Sequence, residues 1–237
     1  MQTRYDRQII ISEIGEKGQE KLRKSEVLLI GFGGLGTPCA TYLAQAGIGR
    51  LEIIDADTVA FSNLNRQFFF TEQDIDLYKA HIAEKIIGKM NSGVNVRGRV
   101  LRIDEKNAED CIQGFDIVVN CVDNIETRKI VHNACLKYDI PLVEGGIDSF
   151  YGFVSCIKKG YPCLNCMGFF DGKQKAVTPV FGAVAGIIGS MQAVEALKIL
   201  LGVNGVLYGK ILYYDAKRQE TELVTIPGKR NCICHKR

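Results

Sequence analysis

Val27-Leu28-Leu29-Ile30-Gly31-Phe32-Gly33-Gly34-Leu35-Gly36 is the stretch that decides how this chain folds. Four apolar residues in unbroken succession predict a strand buried on both faces of a parallel sheet, since a sheet with one wet face alternates apolar and polar side chains. Gly31, Gly33 and Gly36 follow at G-x-G-x-x-G spacing. Glycines there permit a tight turn and close approach of the backbone to phosphate, and the helix that follows aims its unpaired amides and positive dipole end at the same point. That helix is expected over Leu35 to Ala46, with Pro38 in its first turn, where a missing amide donor costs nothing. Leu51 to Asp55 predicts the next strand, ending on a carboxylate nineteen residues past Gly36 that can accept from ribose hydroxyls. Strand, turn, helix and strand form a right-handed βαβ unit.

The alternation continues outward. Ala80 to Met90 predicts a helix, Val94 to Leu101 and Phe115 to Cys121 predict strands, Ile125 to Tyr138 a helix, and Pro141 to Gly146 a further strand. Beyond that the pattern changes. Tyr151 to Lys158 and Val206 to Ile226 read as strands on either side of a long helix at Gly182–Leu201, with tight turns at Gly209 and Ala216-Lys217. The expectation is an α/β fold: a Rossmann-like, mostly parallel sheet flanked by helices, with antiparallel C-terminal strands and a cysteine-bearing lobe. One domain over 1–237 is expected, its nucleotide-binding half at 1–146 and its C-terminal half at 147–237.

Composition agrees with a globular enzyme. The chain has 237 residues, 46% hydrophobic and 24% charged, enough for one continuous core. A net charge of +3 with no long basic run argues against nucleic acid. No secretory leader is visible in the first residues. The apolar stretch Val180 to Leu201 is interrupted by Gln192, Glu195 and Lys198 on successive turns, which favours a buried helix over a membrane span. Cys39, Cys111, Cys121, Cys135 and Cys156 lie singly within predicted elements, the pattern of reduced core thiols in a cytoplasmic protein.

The polar loop Ser62-Asn63-Leu64-Asn65-Arg66-Gln67, just beyond Asp55, changes the reading of the glycine turn. By itself the turn suits an NAD-dependent dehydrogenase. Asn63 and Arg66 are expected to fold back over the phosphates, Lys79 opens the next helix, and Asp123-Asn124 lies just past a strand, at the carboxyl edge where such sheets bind ligands. Two cations for phosphate charge and a carboxylate able to hold Mg²⁺ make a phosphate-transfer set, which hydride transfer does not need. The plain alternatives are surface charges at Arg66 and Lys79, and Asp123 as the N-cap of the helix at Ile125.

With these residues the chain resembles the ThiF/MoeB/HesA group, bacterial relatives of ubiquitin-activating enzymes. The resemblance runs nearly end to end, through Arg4-Tyr5-Asp6-Arg7-Gln8-Ile9, the glycine turn, Asp55-Ala56-Asp57-Thr58-Val59, Ser62–Gln67, Asp123-Asn124 and Gly189-Ser190-Met191-Gln192-Ala193-Val194-Glu195-Ala196. It implies an adenylyltransferase that activates a C-terminal carboxylate with ATP and releases pyrophosphate. Position by position, it implies that Gly34 contacts ATP, Asp55 its ribose, Asn63, Arg66 and Lys79 its phosphates, and Asp123 the Mg²⁺. Arg7 matches an arginine that reaches into the neighbour's site, so the resemblance implies a homodimer. The implied substrate is a small ubiquitin-like sulfur-carrier protein, as in thiamin or molybdopterin routes. The alternative is a small-molecule or peptide carboxylate in cofactor biosynthesis, for example of guanylylpyridinol. A non-catalytic nucleotide-binding scaffold has no reason to keep Arg66, Lys79 and Asp123.

Cys163-Leu164-Asn165-Cys166 has the C-x-x-C spacing that suits tetrahedral Zn²⁺, and the family often carries two such pairs around structural zinc. The second pair departs from that pattern: Cys232-Ile233-Cys234 is C-x-C, followed by His235, and the expectation is structural Zn²⁺ on Cys163, Cys166, Cys232 and Cys234, with His235 in place of Cys234 as the alternative. A zinc-free remnant or a redox pair is the other reading. Several family members also keep a reactive cysteine before the long helix, where this chain has Gly172 to Val180 with Thr178 as the counterpart. A threonine hydroxyl lacks the acidity and nucleophilicity of a thiol. The expectation is an enzyme that stops at the acyl-adenylate, with Cys156 or the paired cysteines as the remaining candidates for covalent chemistry.

Overall fold

The computed structural model describes residues 4–172 and 178–235 of the chain. The apolar run at 27–30 sits in the middle of an eight-stranded sheet made of β1 (Glu26–Ile30), β2 (Arg50–Ile54), β3 (Asn95–Arg99), β4 (Ile117–Asn120), β5 (Leu142–Asp148), β6 (Tyr151–Ile157), β7 (Lys210–Asp215) and β8 (Glu220–Thr225). The strand order is β3-β2-β1-β4-β5-β6-β7-β8. The first five strands in that order are parallel, and β6, β7 and β8 are added antiparallel. The chain leaves β1 toward β2 on one side and returns as β4 on the other. A crevice therefore opens at the carboxyl ends of β1 and β4, the topological switch point where sheets of this kind bind ligands.

The helices are α1 (Asp6–Ile9), α2 (Gly15–Lys24), α3 (Gly36–Ala46), α4 (Lys79–Met90), α5 (Ala108–Ile112), α6 (Ile125–Lys137) and α7 (Gly182–Leu201). Alternate residues of β1 point to opposite faces. Val27 and Leu29 pack with α3, α4 and α7 through Ala40, Leu43, Ala83, Val184 and Ile188. Leu28 and Ile30 pack with α5 and α6 through Cys111, Ile112, Val131 and Cys135. Burial on both faces is why this strand can be apolar throughout. Helix α7 is long and apolar enough to cross a membrane by length and composition. It lies instead along α3 and the sheet: a Cβ at Gly189 would meet the Leu35 carbonyl at 2.2 Å, and one at Gly152 would meet Ile188 at 2.4 Å.

The expected elements fall close to their observed bounds, and two differences are informative. β3 is shorter than the expected Val94–Leu101 because it is a half-exposed edge strand, Asn-Val-Arg-Gly-Arg, with polar residues facing water. Its Gly98 lets α4 lie directly on it, since a Cβ there would be 2.0 Å from the Ala80 carbonyl. β5 runs on to Asp148, past the expected end at Gly146, because the antiparallel β6 continues to pair with it as far as Asp148↔Tyr151.

On the other face, His132 of α6 is fully buried against Phe170, ring centroids 5.0 Å apart, and neither ring nitrogen has a hydrogen-bond partner. Burial pushes its pKa down from 6.5 to about 4. The folded state therefore holds the neutral ring, and this contribution is complete above about 6.5 and lost as pH falls toward 4. His132→Leu keeps the packing and removes the titration. Its stability relative to wild type, measured by urea unfolding, should rise by on the order of 3 kcal/mol between pH 7 and pH 4. A constant difference across that range would show that the ring is not held neutral.

Candidate active site

At the end of β1 the chain turns through Gly31, whose φ of +92° favours glycine. A Cβ on Gly31 would lie 3.0 Å from the Cys121 carbonyl at the end of β4, and one on Gly36 would lie 2.0 Å from the Gly31 oxygen. The turn is thus a cradle that side chains would fill. The Gly33 carbonyl accepts from the Thr37 N–H at 3.0 Å and from the Thr37 hydroxyl. Asp55, buried past the end of β2, braces the turn: its Oδ2 accepts from the Phe32 N–H at 2.7 Å and its Oδ1 from the Asp57 N–H at 2.8 Å. A carboxylate has about four acceptor sites, so two such bonds leave capacity for ribose hydroxyls. Burial raises the Asp55 carboxyl above its ordinary range, and the Lys79 ammonium with these two N–H groups pulls it back.

The polar loop folds against this turn. A short 3₁₀ turn at Phe61–Asn63 is held by Asn63, whose Oδ1 accepts from the Ala60 N–H at 3.1 Å. Arg66 Nη1 donates to the Ser62 carbonyl at 2.7 Å and to Asn65 Oδ1 at 2.9 Å, bonds that use one of the three guanidinium nitrogens. A Cβ on Gly34 would lie 3.6 Å from Arg66 Cγ and 3.2 Å from Ala185, and one on Gly182 would lie 2.7 Å from the Asn65 carbonyl. Glycine turn, arginine loop and the start of α7 therefore meet at one point. Lys79, buried at the first position of α4, sets its Nζ 3.2 Å from Asp57 Oδ2. Asp123 stands exposed just past β4. The N-cap of α6 is Asn124, whose Oδ1 accepts from the Thr127 N–H at 2.8 Å, and not Asp123.

Gly31, Gly33, Gly34, Asp55, Asn63, Arg66, Lys79, Asp123 and Asn124 thus share the carboxyl edge of the sheet. Arg7 does not join them. It lies exposed on α1, where Tyr5 packs on Gly47 and accepts from Asn91 Nδ2 at 2.9 Å. Those residues follow the C-terminal ends of α3 and α4, about 16 Å along α3 from the glycine turn. A groove of about 610 Å³ at the opposite, amino edge is lined by Lys21, Lys24, Lys158 and Lys198. Lys24 and Lys198 are ion-paired there with Glu20 and Glu195, while Lys21 donates to the Leu201 carbonyl and Lys158 lies over the Tyr208 ring.

The two cysteine pairs meet. Cys163 Sγ is 3.6 Å from Cys232 Sγ, Cys166 Sγ is 3.5 Å from Cys234 Sγ, and all four lie within 4.8 Å of one another. Four thiolates at about 2.3 Å from a tetrahedral zinc stand about 3.8 Å apart, so the cluster is already close to the required size. The His235 side chain lies outside the described part of the structure, and so do residues 173–177 of the loop before α7. Burial pushes Cys163 up to about 12. At Cys232 it is outweighed by hydrogen bonds, first from the Cys234 backbone and then from Asn165, which bring that thiol down to about 7.

The sequence pattern of the ThiF family matches residues 5–236. The chain belongs to the ThiF family. Among its relatives, the Aedes aegypti protein named adenylyltransferase and sulfurtransferase MOCS3 is 39% identical over 98% of this chain. That match covers 55% of the mosquito protein, so the chain spans about half of its length. The Haloferax volcanii SAMP-activating enzyme E1 is 36% identical over 98% of this chain and 87% of its own. The solved structure of Escherichia coli MccB with ATP shares the fold, with a TM-score of 0.88 over 99% of this chain and 74% of that one at 22% identity.

Some site residues of this ThiF-family chain escape a reading of the sequence alone. Asp57 is one, visible only once Lys79 is seen beside it. Asn120, Arg128, Glu144 and Gln192 are the others, a buried polar group that reaches the Val122 carbonyl next to Asp123. Asn120 Nδ2 donates to Glu144 Oε1 at 2.8 Å, and Arg128 Nη1 to Glu144 Oε2 at 2.6 Å. Burial pushes the Glu144 carboxyl up to about 7 against the pull of Arg128 and Asn120. The sequence signal for them is polar and charged residues inside predicted helices and strands.

The cysteine geometry has a direct test. The purified protein should carry one zinc per chain by elemental analysis. Cys163→Ser should lose it and lower the thermal unfolding midpoint by several degrees. Full-length protein free of zinc yet equally stable would leave the cluster without a structural metal.

Proposed function

We propose that the chain, as one adenylation unit over 1–237, is an ATP-dependent adenylyltransferase acting on the C-terminal carboxylate of a small ubiquitin-like sulfur-carrier protein. The observation that carries this reading is the junction of Gly34, Arg66 and the start of α7 beside the Asp55–Asp57–Lys79 group. It sets cationic donors next to a backbone cradle at the carboxyl edge of the sheet. The names of the relatives, an adenylyltransferase and a SAMP-activating enzyme, support the same chemistry.

In this reading the glycine turn and Asp55 hold the nucleotide, with Asp55 accepting from the ribose. A carboxylate oxygen of the substrate attacks the α-phosphorus, the bond from that phosphorus to the bridging oxygen breaks, and pyrophosphate leaves. The nucleophile is ionised at neutral pH, so no general base is needed. Negative charge grows on the phosphoryl oxygens in the transition state. Arg66 and Lys79 stabilise it there more than in the ground state, and Asn63 orients the leaving phosphates. Asp123 would hold Mg²⁺, which when bound neutralises phosphate charge. Asn124 fixes that segment by capping α6. Zn²⁺ on Cys163, Cys166, Cys232 and Cys234 is structural.

Arg7, remote from its own glycine turn, acts on the site of a second copy in a homodimer. The buried free thiols Cys39, Cys111, Cys121, Cys135 and Cys156 suit the reducing cytoplasm. A second substrate class, a small or peptide carboxylate, is favoured by one observation: the loop before α7 offers Thr178 where a thiol nucleophile would stand.

ATP–pyrophosphate exchange measures the reaction. It should depend on a carrier ending in Gly-Gly, and exchange with small acids alone would transfer the assignment to the second class. Arg66→Ala and Asp123→Ala should each lower exchange by about 100-fold with the circular dichroism spectrum unchanged. Retention of most activity by either would refute its role. Intact-mass spectrometry after incubation with ATP and carrier should show no thioester on this chain. An adduct on Cys156 or any other cysteine would add a covalent step.

A further inference from the structure

We propose that the buried Arg128–Glu144 pair is a positioning device that fixes the segment bearing Asp123 against the glycine turn. It thereby sets how well the ATP site holds its metal ion. This rests on the reading of Asp123 as the Mg²⁺ ligand.

The segment from Asn120 to Asn124 leaves β4 and is tied down residue by residue. The Asn120 carbonyl accepts from Gln192 Nε2 at 2.9 Å, which anchors it to α7. The Cys121 N–H donates to the Ile30 carbonyl at 2.8 Å, and the Cys121 carbonyl abuts Gly31 at the start of the phosphate cradle. The Val122 carbonyl accepts from Arg128 Nη2 at 2.5 Å. Asn124 caps α6 through the Thr127 N–H at 2.8 Å. Asp123 lies between the last two ties, so its backbone is held on both sides.

Arg128 makes the tie at Val122 by reaching back six residues from within α6, and Glu144 on β5 aligns its fork from the other side at 2.6 Å. Glu144 is in turn held by Asn120, and a Cβ on the next residue, Gly145, would lie 2.4 Å from the Gln192 side chain. The segment leaving β4 is therefore gripped at two carbonyls, Asn120 by α7 and Val122 by the α6 guanidinium that β5 aligns, and the second adjoins Asp123.

Stability alone does not call for this arrangement. A buried ion pair is often matched or exceeded by apolar residues of similar volume. No apolar residue can grip a carbonyl, and the guanidinium holds its two terminal nitrogens in one fixed plane, one on Glu144 and the other on Val122, a geometry that the point charge of a lysine does not reproduce. The carboxylate also balances the guanidinium, which by itself would repel a divalent cation. Magnesium demands near-ideal octahedral geometry from its ligands, so small displacements of a ligating carboxylate matter.

The test uses the full-length protein and two ways of releasing the carbonyl. Arg128→Met with Glu144→Gln removes both charges together, leaving none unpaired. Arg128→Lys keeps the charge beside Glu144 but loses the fork, and it decides the matter if the double variant fails to fold. Binding of α,β-methylene-ATP is followed by calorimetry with and without Mg²⁺, and exchange is titrated with Mg²⁺, with Asp123→Asn in parallel. The metal-free nucleotide affinity should stay within about twofold of wild type. The half-saturating Mg²⁺ concentration should rise about tenfold, as for the loss of an outer-shell support. The gain in nucleotide affinity on adding Mg²⁺ should shrink to match. If Asp123→Asn shifts the Mg²⁺ dependence while folded variants of the pair leave it unchanged, the positioning role is overturned alone. If Asp123→Asn itself causes no shift, the metal assignment falls and the proposal with it.

Discussion

A backbone oxygen stands where residue 36 would carry its Cβ. The Gly31 carbonyl lies 2.0 Å from that position, so only glycine lets α3 begin this close to the turn that ends β1. Everything at the carboxyl edge depends on that approach. It brings the amides at the start of α3 to the mouth of the sheet, where an anion meets several N–H donors and the positive end of a helix. It also leaves the Phe32 N–H to Asp55 and Gly34 to the arginine loop. A methyl group at either glycine would push the helix away and open the cradle.

Around this cradle the charges are arranged to be partly used and partly available. Asp55 is buried, which disfavours its ionised form, and two backbone N–H bonds with the nearby Lys79 keep it useful as an acceptor. Lys79 is buried yet paired with the more exposed Asp57. Arg66 uses one guanidinium nitrogen to shape its own loop. Each group is oriented by contacts within the chain itself.

The C-terminal half contributes by covering and tying. Helix α7 lies across the parallel strands with its first turn against Asn65 and Arg66, so one element both completes the core and borders the site. The antiparallel strands β6 to β8 extend the sheet, and the final residues return to Cys163 and Cys166, joining segments about seventy positions apart. Beside this lobe His132 is buried without a partner, a cost tolerated because Phe170 and the apolar face of α6 enclose it.

The sequence by itself determined the βαβ core, the position of the glycine turn, Asp55 as its acidic partner, and the pairing of C-x-x-C with the C-terminal cysteines as a metal hypothesis. These were legible because each rests on residues close in sequence, or on residue types with one dominant use. The resemblance added Gly34 and Arg7, which local patterns do not single out. Only the tertiary structure decided that Asn124 rather than Asp123 caps α6, that β3 is a short edge strand, that Arg7 lies far from its own chain's cradle, and that Arg128, Glu144, Asn120 and Gln192 form one buried group. Periodicity and capping signals act over a few residues. The contacts within that buried group join positions from 16 to 72 apart, and packing brings them together.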